Sequence, residues 1–332
     1  MSIATRAVTS RRGAMKSALG LAAGAALAPL ALAAARGAHA AAPMLGAAPP
    51  SHYRFKLGDF EVTTLRDGAV QVEGPHPIFG QNQTPEAVQE LAEANFLPPT
   101  MMEIQFNPVV VNTGEQLVLF DSGNGTARRP NAGNLLQMLQ AAGYDAGQVD
   151  VVVITHMHPD HIGGLLEDGK TAFPNARYVT GSTEYDFWSK EERLSGPTEN
   201  AAKLVQANVV PLAPQITFIG DQAEVVPGIN GLDAFGHTPG HMAYLIESGG
   251  RQLLIWGDTA NHYVMSVQRP DWHVRFDADK EAAAATRRRL FDQAATDRIA
   301  VTGYHMPFPA IGYIEKSGSD YRWVPASYQL NL

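Results

Sequence analysis

The chain of 332 residues contains no cysteine. Disulfide bonds and thiolate metal sites are therefore both excluded, and any metal ion must be held by histidine and carboxylate side chains. Basic residues are also scarce, because 25 Lys and Arg stand against 33 Asp and Glu and form no block. Binding to a phosphate backbone depends on clustered basic residues, so nucleic acid is not expected as a partner.

The first 40 residues have the features of an export signal rather than of a folded domain. Arg11 and Arg12 form a twin-arginine motif, an Ala-rich apolar segment covers residues 19–35, and Ala38-His39-Ala40 offers a cleavage site. Its modest hydrophobicity, interrupted by Pro29, argues against a stable membrane anchor. We expect export by the twin-arginine route to the periplasm or the exterior, a disordered leader over residues 41–51 and one folded domain over residues 52–332.

The most informative stretch is VVVITHMHPDHIGGLL, residues 151–166. Its β-branched start predicts a buried strand, and the alternation of side chains along that strand directs the first two histidines to one side. Three imidazoles and a carboxylate suit zinc, and one tetrahedral ion that also binds water cannot use all four. The stretch therefore indicates two adjacent ions, with these ligand candidates: His156, His158, Asp160 and His161.

Three later segments place a histidine or an aspartate directly after a strand-like run. His237 lies in Gly-His-Thr-Pro-Gly-His, Asp258 in Gly-Asp-Thr, and His305 in Gly-Tyr-His. An earlier segment, Leu-Phe-Asp-Ser-Gly, contains Asp121 in the same position relative to a strand. The His237, Asp258 and His305 side chains complete the set that a two-metal centre would require.

Taken together, these segments resemble the five-part signature of the metallo-β-lactamase superfamily. The resemblance covers about residues 52–325 and implies an α+β fold, the four-layer αβ/βα sandwich; periodicity alone leaves an ordinary α/β fold open. Within the superfamily the chain is similar to the methyl parathion hydrolase and dihydrocoumarin hydrolase branch. The segments that carry this likeness are Leu57 to Glu61, Ala141 to Tyr144, Thr155 to Gly164, Asp186 to Trp188 and Val226 to Ile229.

The resemblance also allocates the ligands of two Zn²⁺ ions per chain, although other divalent metals are not excluded. It gives His156, His158 and His237 to the first ion, Asp160, His161 and His305 to the second, and Asp258 to both as a bridge. Water bound to zinc has its pKa lowered to about 7, so hydroxide is available at neutral pH. Asp160 could also orient this water or relay its proton.

Other side chains are expected around the metals. Asp121 fits a hydrogen bond to a metal-binding histidine and, equally, a turn cap. His241 is expected to support the ligands rather than to bind a metal ion itself. Trp188 fits an apolar pocket wall or the core, Phe276 fits a pocket wall, and Arg128 fits the pocket rim.

A pocket with few aromatic residues and an arginine at its rim favours a lactone or an activated aryl ester as the small-molecule substrate. Phosphotriester hydrolysis is then a side activity. The alternatives are a primary organophosphate hydrolase of the methyl parathion type, a β-lactamase, and an iron-dependent oxidoreductase on the same scaffold. Dimers occur among the resembling hydrolases, which leaves a homodimer open.

Several secondary-structure elements can also be predicted. Thr84, followed by Pro85, caps a helix that ends near Asn95, and a second helix covers residues 280–295. Residues 104–111 and 116–120 are expected to pair as a hairpin. Residues 72–83 have no periodicity and are expected to form a loop at the mouth of the site.

Overall fold

The computed structural model describes residues 42–326. The chain separates into two units, Met1–Ala48 and Pro49–Leu332. Residues 42–50 contain no helix or strand, and the predicted export signal and its cleavage site lie outside the described residues. Among the described helices, none has the length and the apolar character that a membrane span requires.

The second unit contains eighteen strands within its described part. The strands before Gly220 are β1 (His52–Leu57), β2 (Phe60–Leu65), β3 (Gly68–Glu73), β4 (Met101–Phe106), β5 (Val109–Asn112), β6 (Leu117–Phe120), β7 (Val151–Ile154), β8 (Leu166–Glu167), β9 (Lys170–Thr171), β10 (Arg177–Gly181) and β11 (Ile216–Ile219). The strands after it are β12 (Glu224–Val226), β13 (Ile229–Asp233), β14 (Met242–Ser248), β15 (Arg251–Ile255), β16 (Ala300–Thr302), β17 (Ile311–Ser317) and β18 (Asp320–Pro325).

The α-helices of the described residues lie between groups of these strands. They are α1 (Pro85–Ala94), α2 (Leu135–Ala141), α3 (Pro159–Ile162), α4 (Ser182–Trp188), α5 (Glu199–Asn208), α6 (Met265–Gln268) and α7 (Lys280–Thr296). Thr84 caps α1 by accepting a hydrogen bond from the Ala87 amide, and Pro85 is the first helical residue, as predicted. The predicted helix over residues 280–295 corresponds to α7.

The strands form two seven-stranded mixed sheets and two small two-stranded sheets. The first sheet has the order β1-β2-β5-β6-β7-β10-β11, and the second has the order β12-β13-β14-β15-β16-β17-β18. The strand pairs β3-β4 and β8-β9 stand apart from both. Each large sheet contains parallel as well as antiparallel pairs, for example β6 beside β7 and β15 beside β16 in parallel.

The alternation of apolar side chains along the strands builds three apolar layers. Val151 and Val153 of β7 face the second sheet and share a core with its residues, including Tyr244. Val152 and Ile154 point the other way and pack with α2, α4 and α5. On the far side of the second sheet, α7 packs through residues such as Phe291. The order helix, sheet, sheet, helix confirms the predicted four-layer sandwich.

One strand pairing was predicted incorrectly. β5 and β6 form the expected hairpin, but residues 104–106 belong to β4, which pairs with β3 in a separate sheet. The run is interrupted at Asn107-Pro108: Pro108 has no amide hydrogen, and the Asn107 side chain donates instead to the carbonyl oxygens of Tyr304 and Met306. The start of the predicted mouth loop, residues 72 and 73, is likewise part of β3.

Candidate metal centre

The first ligand set lies in the loops after β7, β13 and β15. His156 Nε2 lies 3.1 Å from His158 Nδ1, which in turn lies 2.9 Å from His237 Nε2. Asp258 Oδ2 completes the set at 3.4 Å from His237 Nε2 and 3.9 Å from His156 Nε2. Ligand atoms at about 2.0–2.1 Å from a tetrahedral zinc ion are about 3.3 Å apart, so these separations suit one ion.

The second ligand set lies beside the first and combines α3 with the loop after β16. His305 Nε2 is 3.5 Å from Asp160 Oδ2, and His161 Nε2 is 3.9 Å from the same oxygen. In each of the two sets, the proposed ligand atoms all lie within 4.8 Å of one another. The structure thus brings together the seven ligand candidates and divides them as the resemblance implies.

Asp258 contacts both sets. Its Oδ1 is 3.4 Å from His161 Nε2, and its Oδ2 is 3.1 Å from His305 Nε2 and 3.4 Å from His237 Nε2. Two buried atoms in this group, His161 Nε2 and Asp258 Oδ1, have no hydrogen-bond partner. Buried polar atoms are rarely left unpaired in proteins, and ligand atoms of a metal ion would be satisfied by it. The donor set therefore fits a dinuclear centre with Asp258 as the bridge.

Burial favours the neutral form of two histidines in the first set. Burial lowers the pKa of His158 to about 3, and His237 adds to this effect. Burial also lowers the pKa of His156 well below its usual value.

In the second set, burial works against the charged forms of His161 and His305, but Asp258 outweighs it and raises the pKa of both. Burial tends to raise the pKa of Asp258, but His305 and His161 hold it well below its usual range. Neutral imidazoles and an ionised carboxylate are the forms that bind metal.

Most ligand histidines are held through the ring nitrogen that faces away from the centre. Nδ1 of His161 is 2.8 Å from Asp121 Oδ2, and Nδ1 of His305 is 2.7 Å from a backbone carbonyl oxygen of β4. Nδ1 of His156 is 3.1 Å from the Thr155 hydroxyl oxygen. These contacts fix the tautomer and leave Nε2 directed at the centre. His158 differs, since its Nδ1 faces the other ligands.

Asp121 supports both ligand sets. Besides contacting His161, its carboxylate accepts hydrogen bonds from the Thr155 amide at 2.8 Å and from the Thr155 hydroxyl at 2.9 Å. The same hydroxyl contacts His156. One carboxylate therefore orients a histidine of each set. This geometry corresponds to the first of the two roles expected for Asp121.

His241 is not placed as a ligand. Its Nε2 accepts a hydrogen bond from the Asp258 amide at 3.0 Å, so its Nδ1 carries the hydrogen and donates to the carbonyl oxygen of Ala234. Burial lowers the pKa of His241 to about 3, which keeps this acceptor available. Gly257 makes the approach possible, because a Cβ at that position would lie 2.7 Å from the His241 ring. His241 thus fixes the backbone of the bridging residue.

Sequence reasoning missed Glu184, the buried carboxylate that connects two ligand loops. It accepts hydrogen bonds from the Met157 amide and the Trp188 indole, both at 2.8 Å, and from the Thr238 hydroxyl and the Gly240 amide at 2.7 and 3.0 Å. Burial raises its pKa despite these donors. Glu184 ties the loop of His156 and His158 to the loop of His237. A glutamate in the first turn of a short helix gives no sequence signal for this role.

A second missed pair is Asp277 with Arg287. Asp277 Oδ1 is 2.8 Å from His237 Nδ1, and its Oδ2 accepts a hydrogen bond from Arg287 at 3.0 Å. Arg287 is fully buried in α7 and also donates to the carbonyl oxygens of Thr259 and Pro270. An arginine on the apolar face of α7 was the one available signal, because a buried arginine requires acceptors.

The ligands open into a cavity of about 310 Å³. His158, Asp160, Asp258 and His305 line it together with apolar residues of β3, β4 and the loop before α1. The predicted pocket residues Arg128 and Phe276 also line it, as does Arg275. Trp188 is absent from the lining: its side chain is 5% exposed, packs in the core beside α5 and lies with its ring centre 6.0 Å from that of His158.

A second cavity, of about 420 Å³, shares His305 with the first. Its walls are mostly apolar and include Met101, Met102, Met265 and Leu97. His262 lies on this wall, and its Nδ1 accepts hydrogen bonds from the amides of Val264 and Met265, so its Nε2 carries the hydrogen. Flexible methionine side chains adapt to ligands of varied shape.

Comparison with known proteins identifies the family. Residues 104–300 match the family model described as the metallo-beta-lactamase superfamily. The chain belongs to this superfamily.

An N-acyl homoserine lactonase of a Bacillus species is 26% identical over 158 residues, which are 45% of this chain and 57% of that protein. An N-acyl homoserine lactonase of Bacillus cereus is 26% identical over 165 residues, 47% of this chain and 60% of that protein. The matches span less than two thirds of the length of these curated relatives.

Two solved structures cover more of the chain. AidC, a dizinc quorum-quenching lactonase in complex with a product, is 28% identical, with a TM-score of 0.77, and the match covers 84% of this chain and 98% of AidC. The hydrolase AbOPH is 26% identical, with a TM-score of 0.78, and the match covers 85% of this chain and 100% of that chain.

Proposed function

We propose that this superfamily member is a dizinc hydrolase that opens lactones and also cleaves activated aryl esters. The observation that carries the proposal is the position of Asp258 between two complete ligand sets at the wall of a substrate-sized cavity. Zinc is favoured by the nitrogen-rich donor set. The lactonase activity of the curated relatives and of AidC supports the choice of substrate.

Two bound zinc ions would supply Lewis acidity and lower the pKa of a bound water to about 7. The chain itself positions the substrate and moves the proton. Asp160 has the most exposed ligand carboxylate, 16% against 4% for Asp258, and it lines the cavity. Its backbone is fixed because its carbonyl oxygen accepts a hydrogen bond from the Tyr304 hydroxyl at 2.6 Å. Asp160 is thus placed to take a proton from the attacking water and return it to the leaving alkoxide.

The two cavities would hold different parts of the substrate. The ester group would lie in the first cavity, beside the ligands, and an apolar substituent such as an acyl chain would lie in the second, against its methionines. Burial of each methylene contributes about 0.8 kcal/mol, so longer chains should bind more tightly until the cavity is filled. Phosphotriesters offer a similar electrophilic centre, and we propose their hydrolysis as a side activity.

The test is a comparison of substrates on zinc-loaded protein that begins at Ala41. Initial rates are measured on dihydrocoumarin, an acyl homoserine lactone, a p-nitrophenyl ester, methyl paraoxon and a carbapenem, and bound metal is counted. The proposal requires two metals per chain and the highest kcat/KM on a lactone or an ester. A higher kcat/KM on methyl paraoxon would instead support an organophosphate hydrolase, and a higher kcat/KM on the carbapenem would support a β-lactamase. Iron in the protein as isolated, together with oxygen consumption, would support an oxidoreductase.

We further propose that the chain is exported by the twin-arginine route. Arg11 and Arg12 carry this proposal. Fractionation of cells that express the full chain should place the protein in the periplasm or the medium, and the double substitution Arg11→Lys with Arg12→Lys should retain it in the cytoplasm. Equal export of both proteins would contradict the proposal.

A further inference from the structure

Two arginines line the cavity that contains the ligands, and neither has an acidic partner. Arg128 and Arg275 are both part of the lining of about 310 Å³. Within residues 42–326, neither forms an ion pair with a carboxylate. Other arginines of the chain differ, because Arg129 pairs with Glu167 at 2.7 Å and Arg322 pairs with Glu315 at the same distance. Two positive charges therefore face the substrate space without an ion-pair partner.

Both guanidinium groups lie over phenylalanine rings of the same region. The Arg128 guanidinium carbon is 5.2 Å from the centre of the Phe106 ring, and that of Arg275 is 4.9 Å from the centre of the Phe276 ring. A guanidinium placed over an aromatic face keeps its N–H groups free at the edge. Those edges match the two oxygens of a carboxylate in a bidentate hydrogen bond.

The backbones that carry these side chains are fixed. The Arg275 amide donates to the Ile78 carbonyl oxygen at 2.8 Å, next to the β-bridge between Phe79 and Val274. The Arg128 carbonyl oxygen accepts a hydrogen bond from the Ala132 amide at 3.1 Å. Ester hydrolysis at the metals requires neither arginine, so their position calls for another explanation. The same cavity wall also contains apolar side chains such as Ile104.

We propose that Arg128 and Arg275 bind a carboxylate that the substrate carries beside its scissile ester. The preferred substrate is then a lactone or ester with an anionic substituent. This inference rests on the proposed function, because it names the substrate class of the same site. The hydrolysis step is unchanged: water adds to the carbonyl carbon, the ring C–O bond breaks, and the alkoxide takes the proton.

The test uses two lactones that differ in charge and hardly in shape, 5-oxotetrahydrofuran-2-carboxylic acid and its carboxamide. We expect the KM of wild-type protein to be at least tenfold lower for the acid. Arg128→Gln and Arg275→Gln should each raise the KM for the acid about tenfold, since a hydrogen bond to a charged group contributes about 1.5–3 kcal/mol. The KM for the carboxamide should change less than threefold. Arg269→Gln is the matched control, because Arg269 is exposed and donates to the neighbouring Gln268 carbonyl oxygen.

Two results would overturn the inference while lactone hydrolysis stands. In the first, the KM for the acid is no lower than the KM for the carboxamide; in the second, the Gln variants raise both KM values equally. If neither lactone is hydrolysed, the proposed function fails, and calorimetry with 2-hydroxyglutarate on zinc-loaded protein decides the inference by itself. Binding that weakens about tenfold in each Gln variant supports the arginine site. Binding equal in wild type and variants refutes it.

Discussion

Asp277 Oδ1 lies 2.8 Å from His237 Nδ1, so a proposed metal ligand of the first set is held by a carboxylate that Arg287 of α7 holds in turn. The pair is buried: Asp277 is 4% exposed and Arg287 is fully buried. Burial works to raise the pKa of Asp277, but the hydrogen bond from His237 and the charge of Arg287 lower it. The orientation of His237 is therefore coupled to the packing of a helix outside the metal centre.

Asp277→Asn tests this coupling. The NH₂ group that replaces one carboxylate oxygen would face a hydrogen-bond donor, either His237 or Arg287. The substitution would also leave the buried Arg287 without an anion. We expect the free energy of unfolding to fall by about 3 kcal/mol and the metal affinity to fall about 10–100-fold. Thermal unfolding and zinc content after dialysis measure the two effects. Asp271→Asn, which removes an exposed partner of Arg288, should cost less than about 1 kcal/mol. Unchanged zinc retention would show that Asp277 does not position His237.

Glu184→Gln should loosen the two loops that supply the first ligand set. All four groups that contact its carboxylate donate hydrogen bonds to it, so a side-chain amide would turn its NH₂ group toward a donor. A buried unsatisfied group costs about 1–3 kcal/mol. We expect a lower melting temperature and weaker zinc binding, whereas Glu199→Gln on the surface of α5 should alter neither. Full zinc occupancy at wild-type affinity would contradict this role.

Trp188→Phe separates the two roles expected for this residue. The substitution removes the indole donor to Glu184 and should destabilise the protein by about 1 kcal/mol. Because Trp188 does not line the cavity, KM values for lactones with and without aryl groups should change in parallel, by less than threefold. A selective rise in KM for aryl substrates would instead assign Trp188 to the substrate pocket.

Asp258→Asn should abolish hydrolysis and reduce the bound metal, while the fold stays largely formed. An amide can offer only one good ligand atom, and the bridge between the two sets requires two oxygens. Metal analysis and the far-UV circular dichroism spectrum separate these effects. Wild-type turnover in this variant would refute the bridging role.

The ligand candidates could be selected from the sequence because each follows a short apolar strand and four of them lie within six residues. The alternation of side chains along a strand and the end of the strand can both be predicted from a single short segment of the sequence. The sandwich itself required the family resemblance, since the same strands and helices fit an ordinary α/β fold.

Contacts between distant segments could not be predicted in the same way. Asp277 meets a histidine 40 residues earlier, and Glu184 meets Met157 and Gly240 on either side of it in sequence. β4 pairs with β3 instead of continuing into β5, and the Asn107 side chain at this break donates to the loop of Tyr304 and Met306. Such choices are made by tertiary packing, which leaves no periodic pattern in the chain.

The proposed metal ligands of each set come from both sheets. His156 and His158 follow a strand of the first sheet, as Asp160 and His161 do, whereas His237, Asp258 and His305 follow strands of the second. Each ion would therefore cross-link the two halves of the sandwich. By thermodynamic linkage, a substitution between the sheets that favours their separation, such as Tyr244→Ala, lowers the apparent zinc affinity in proportion to the population of the separated state. The apolar interface and the ions thus stabilise one another.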